Sequence, residues 1–217
     1  MADSTSKIKR TSTGRIVLSN AEYIHITPYV DSDNLGKQTY DIVDIVGDSL
    51  SFTPDDNTIN AKESEFSDQP VFENVILGKY QFAATCIDFQ NDVMTQIYGW
   101  EADEEGNVYA PMGYKEKYAL IEIGFRNTNV AVVAPKVKLN SKATIASLKT
   151  GTAEGAIAGT SYIGEINGKK TPLGFIKIER DATSGVPTTE YEAKAGDITH
   201  TFKVGGGWQK DDTTASS

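Results

Sequence analysis

The chain has 217 residues, 39% hydrophobic and 24% charged, enough for one sizeable core and ordinary for a globular protein. Thirty acids against 21 bases leave a net charge of −9, which argues against wrapping nucleic acid, since that needs cations to displace phosphate counterions. The lone cysteine, Cys86, rules out a disulfide framework within the chain, and no apolar run reaches the roughly 18 residues of a membrane span.

Met1–Arg15 holds Lys7, Lys9, Arg10 and Arg15 among serines and threonines. It reads as a flexible basic arm and lacks the apolar stretch of a secretory signal. Strand patterns begin at Tyr23–Pro28, where Ile24 and Ile26 alternate with Tyr23, His25 and Thr27. In Tyr40–Val46, Asp44 projects opposite Val43 and Ile45. Ser49–Thr53 follows, then a turn at Pro54–Asn57, then Thr58–Lys62. Lys79–Phe89 is a long strand with Tyr80, Phe82, Ala84 and Cys86 on one face.

The one predicted helix is Asn91–Tyr98, with Asn91 as its cap, Asp92 on the N-terminal dipole and Gly99 closing its end. Phe89, Val93, Ile97 and Trp100 form a single apolar stripe on it. Phe82, Cys86, Val93 and Ile97 are therefore expected to share one core. An acidic turn at Ala102–Asn107 precedes strands at Tyr118–Phe125, Val130–Lys138, Ala143–Leu148, Gly155–Ile163 and Leu173–Glu179. Asn167–Gly168 within Gly164–Thr171 signals a hairpin turn. Glu190–Ala193 and Ile198–Val204 come last. Gly205–Ser217 is glycine-rich, then polar, and reads as a disordered tail in which Trp208 needs a docking place. The pattern predicts an all-β sandwich or barrel of about ten strands with one flanking short helix. One domain, residues 16–204, lies between an arm (1–15) and a tail (205–217).

Charge is unevenly divided. Residues 31–105 hold 17 of the 30 acids against three bases, Lys37, Lys62 and Lys79, a net −14; the remainder carries +5. Such a dipole suits head-to-tail stacking, or a negative face turned to a polyanion that must not be held.

Catalytic signatures are absent from the sequence. His25 and His200 have no metal spacing, and no nucleophile elbow, Walker loop or dinucleotide fingerprint occurs. Gly205–Gly207 precedes no helix pattern that would cradle a phosphate. Asp31–Asn34 begins like a calcium loop and Gly36 meets its sixth position, but Ile42 stands where the terminal glutamate is needed. The acids of Ala102–Gly106 read as a solvated turn. No catalytic residue, cofactor or metal is expected.

The run SFTPDDNTINAKESEFSDQPVFENVILGKYQFAATCIDF, the helix ending IYGW, and the later YALIEIGFRN and APKVKLNSKATIASLKTGTAEGAIAGT carry a resemblance. Over most of residues 16–180 the chain resembles the tail tube (major tail) proteins of long-tailed bacteriophages. The resemblance implies a β-sandwich flanked by a helix, hexameric rings, and stacking of rings into a hollow tube through which the genome passes. It implies a virion protein assembled in the host cytoplasm, whose partners are its own copies and other tail proteins. DNA would pass without specific binding, and no membrane is involved. Within that reading, Asp44 is expected in the lumen. Asp55, Asp56, Glu63 and Glu65, in a loop at Asp55–Glu65, are expected to meet Lys136, Lys138 and Lys142 of the next ring. The alternative is a carbohydrate-binding or adhesin-like β module, with tyrosines such as Tyr23, Tyr29, Tyr109 and Tyr114 in a groove. A hydrolase acting through paired acids is a third, less favoured class.

Overall fold

The computed structural model describes residues 21–42, 45–46, 48–56, 58–64, 67–76, 79–87, 90–113, 115–125, 128–144 and 154–213, with side chains described except at 58–64, 67–76, 143–144 and 211–213. The strands are β1 (Ala21–Pro28), β2 (Tyr40–Ile42), β3 (Ser51–Pro54), β4 (Thr58–Ser64), β5 (Ser67–Ile76) and β6 (Tyr80–Cys86). Helix α1 (Asn91–Gln96) is followed by β7 (Glu101–Ala102), β8 (Val108–Tyr109), β9 (Lys117–Phe125), β10 (Val130–Leu139), β11 (Lys142–Thr144) and β12 (Glu154–Tyr162). The chain continues through β13 (Gly164–Ile166), β14 (Lys169–Thr171), β15 (Gly174–Lys177), β16 (Glu190–Ala195), β17 (Ile198–Lys203) and β18 (Gly207–Thr213). Among the described residues the protein is all-β with one short helix, as its alternating patterns predict.

A nine-stranded sheet runs β2-β1-β9-β10-β12-β6-β3, with β11 on β12 and β15 on β10. The chain after β2 reaches the far end of that order: Ile45 bridges Cys86, and the Val46 N–H donates to the Thr85 carbonyl at 2.8 Å. The sheet thereby curls toward a barrel. A five-stranded sheet, β14-β13-β16-β17-β18, forms the second layer.

Two cores result. Phe82, Cys86, Val93 and Ile97 pack together in the first, with Ile24, Ile26, Ile121 and Ile157, which is the predicted junction of long strand and helix. Leu120, Ala131 and Val133 face the other way, against Tyr191, Ala193 and Phe202 of the second sheet. Strands β9 and β10 are thus buried on both faces, which explains their nearly continuous apolar sequences. Pro135 interrupts β10, at a bulge between Ala134, opposite Ile121, and Val137, opposite Ala119. Proline has no N–H for the ladder and is tolerated there. The extra residue keeps Val137 and Leu139 on the first core's side, where an unbroken alternation would turn them outward.

Several expectations need correction. The helix ends at Gln96, and its N-cap position is Gln90 rather than Asn91, with no side-chain cap bond. The Asn91 amide instead donates to the Gly106 carbonyl at 2.9 Å. Gly99 does adopt the left-handed conformation that ends the turn, at φ +76°. The presumed Asp55–Glu65 loop contains β4, which forms a ribbon with β5 from Thr58 opposite Ile76 to Ser64 opposite Ser67. The supposed tail continues as β18, paired along β17. Asn167–Gly168 turns as expected, with φ of 49° and 73°. Residues 1–20, Asp44, Glu65 and Phe89 lie outside the described residues.

Candidate functional site

Only part of the expected acidic set can be placed. Asp55 and Asp56 are exposed where β3 leads into the ribbon. The Asp55 carboxylate is engaged within the chain, accepting from Gln81 Nε2 at 2.7 Å, and Gln81 in turn accepts from the Thr160 hydroxyl at 2.9 Å. Glu63 lies on β4. The ribbon is inserted between Pro54 and Tyr80, themselves register partners at the end of the β3–β6 pair. Among the described residues, β4 and β5 pair with each other and with no other strand.

The lysines expected to receive a neighbour's acids are partly committed. Lys136 Nζ donates to the Ser32 carbonyl at 2.6 Å and lies 3.6 Å from Asp33, above the rings of Tyr29 and Tyr118. Lys138 pairs with Glu116, which holds that carboxyl below its usual range. Lys142 is exposed on β11 beside Ala156. Lys79, also exposed, stands over the Tyr162 ring at 4.4 Å. These groups border the outer face of β3, β6 and β12, where Ser51, Thr53, Gln81, Ala83 and Ala156 are exposed.

Sequence reasoning missed the most constrained polar cluster. Glu122, at 1% exposure in mid-β9, points into the second core. Its carboxylate accepts from Tyr23 Oη at 2.7 Å, Tyr191 Oη at 2.8 Å and the Gly205 N–H at 2.7 Å. Burial, then the Glu122 charge, pushes both phenols well above their usual pKa. Gly124 makes the cluster possible, since a Cβ there would lie 2.0 Å from the Tyr23 ring. In the sequence, Glu122 is a single acid within the apolar run ALIEIGF, and no local pattern names the phenols of Tyr23 and Tyr191 that hold it.

The acidic turns are self-contained. Asp31 accepts from the Asp33 and Asn34 N–H groups, each at 2.9 Å, and from the Asn34 amide, which lowers its pKa. Asp103 is held similarly by Asn107, and Asp181 by Ser184. Among the described residues, no group of three His, Cys, Asp or Glu side chains is placed to hold a metal ion.

A cleft of about 640 Å³ is lined by Tyr29, Tyr40 and Tyr118 with Lys37, Gln38 and Gln96. Its aromatic rings are poorly placed as a sugar platform, because the Tyr29 hydroxyl donates to the Pro135 carbonyl and Lys136 covers two of the rings. Beneath it, half-buried Lys117 donates to the Thr95 and Gln96 carbonyls at the end of α1, and burial lowers its pKa. That cation satisfies orphan carbonyls of the last helical turn.

No known protein family and no curated protein matches the chain. Among solved structures, a chain of the anti-feeding prophage (AFP) baseplate, determined by cryo-EM and 6-fold symmetrised, is similar over 76% of this chain and 98% of its own, at 8% identity and a TM-score of 0.39.

Proposed function

We propose that this protein is a structural subunit without catalytic role that assembles with copies of itself, as tail tube proteins do: hexameric rings stacked into the hollow tail tube of a phage virion. The observation that carries this reading is the β4–β5 ribbon, which pairs with no other strand among the described residues. A lone two-stranded ribbon is marginal in water. At roughly 3.3 Å per residue, a ribbon with a ten-residue strand extends about 30 Å and presents open edges to another molecule. The uneven charge supports the same reading, since a divided protomer stacks head to tail and heterologous contacts generate rings and tubes. The reading assigns Asp44 to the lumen, and Asp55, Asp56, Glu63 and Glu65 to contacts between rings.

The test is to replace residues 58–76 with a short turn. The domain should stay folded by circular dichroism, while sedimentation shows the large assemblies of the unmodified chain reduced to small species. Assemblies that persist without the ribbon would remove its support.

A further inference from the structure

We infer that the outer face of β3, β6 and β12 is the seat of the β4–β5 ribbon of a second copy. The inference rests on the self-assembly proposed above and names the surface it uses. Ser51, Ala83 and Ala158 stand side by side in register across the three strands, and Thr53, Gln81 and Thr160 form the next row. Ala83 and Ala156 are exposed, so this sheet face carries short side chains, onto which a second β layer can pack closely. The chain's own ribbon leaves from the end of the β3–β6 pair, at Pro54 and Tyr80, and among the described residues pairs with no strand of that sheet. Ser51, Thr53, Gln81, Ala83 and Ala156 are exposed in the single chain, so the face is open to a ribbon from another molecule.

Charge identifies the ribbon as that occupant. Residues 58–76 hold four acids, Glu63, Glu65, Asp68 and Glu73, against the single base Lys62. Around the face, Lys136 and Lys138 already have Asp33 and Glu116. Lys79 and Lys142 remain as exposed cations on either side, one leading into β6 and the other beside Ala156. An acidic ribbon laid between them meets a cation at each border. Because ribbon and seat are different surfaces, the contact is heterologous and propagates from copy to copy.

The test uses the full chain at low salt, with sedimentation velocity for assembly and circular dichroism for fold. Lys79→Glu with Lys142→Glu, and separately Glu63→Lys with Glu73→Lys, should each lower the assembled fraction about tenfold or more. Combining all four should restore it. Ala156→Arg, which adds bulk to the seat without touching the ribbon, should also block assembly in a folded protein. Wild-type assembly in any of these blocking variants, or no recovery in the combined one, overturns the seat while self-assembly stands. An unmodified chain that stays monomeric overturns self-assembly itself, and the seat with it.

Discussion

Glu122 has no cation among its hydrogen-bond partners; it is held by two phenols and one backbone N–H. Such a buried acceptor is costly to disturb because each donor left behind is also buried. Tyr191→Phe should cost about 1–3 kcal/mol by urea unfolding. The same cluster sets an alkaline limit. Tyr23 and Tyr191 have folded pKa values raised above the ordinary 10.0. Their contribution is complete below pH 10 and is lost above it, as the unfolded chain releases phenol protons that the folded chain keeps. The slope reaches about 1.4 kcal/mol per pH unit for each tyrosine. Urea midpoints at pH 9, 10 and 11 should fall for the unmodified chain and fall less for Tyr191→Phe; equal slopes would show that Tyr191 does not hold its proton. Ile97, at 1% exposure in the first core, gives a simpler prediction: Ile97→Ala should cost about 2–5 kcal/mol. An unchanged melting temperature would contradict its place there.

At the scale of elements, β18 gives the clearest prediction. The Trp208 ring packs against the second core with Lys37 5.4 Å from it, while the residue's backbone N–H donates to the Thr39 hydroxyl at 3.2 Å. Trp208→Ala should therefore destabilise the folded chain by about 2–3 kcal/mol, below the loss for a fully buried tryptophan. Truncation after Val204 should disrupt folding, read by circular dichroism; a truncated chain of native stability would make β18 dispensable. This element was hard to read because Gly205–Gly207 and Asp211–Asp212 resemble linker sequence. Those glycines instead allow the turn into β18, with φ of +68° at Gly205 and +70° at Gly207. A strand with one wet face, β6, was legible from its alternation, and Val93 and Ile97 revealed the helix stripe. The ribbon was half legible: Thr58–Lys62 has a strand pattern, but Pro70 and the polar run before it hide β5. Lys136 and Lys138 stand as expected on β10, but their partners Asp33, in a bend, and Glu116, just ahead of β9, are distant in sequence and beyond the reach of local pattern.

Across the whole molecule, the two layers form a scaffold from which the ribbon extends, and in the proposed assembly that acidic ribbon meets lysines of another copy. Exposed ion pairs are individually worth roughly 0–1 kcal/mol, so only their repetition through an assembly makes them decisive. Assembly should accordingly weaken as salt rises to several hundred millimolar, where screening lengths shrink to a few ångströms. Light scattering over a salt series checks this, and salt-independent assembly would point to apolar contacts. Negative-stain electron microscopy of the purified full chain at low salt and high concentration is the decisive measurement for this assembly. Hollow rings with sixfold symmetry and short stacks of them are the expected result; a uniform field of monomers under every condition that favours association would contradict the proposed assembly.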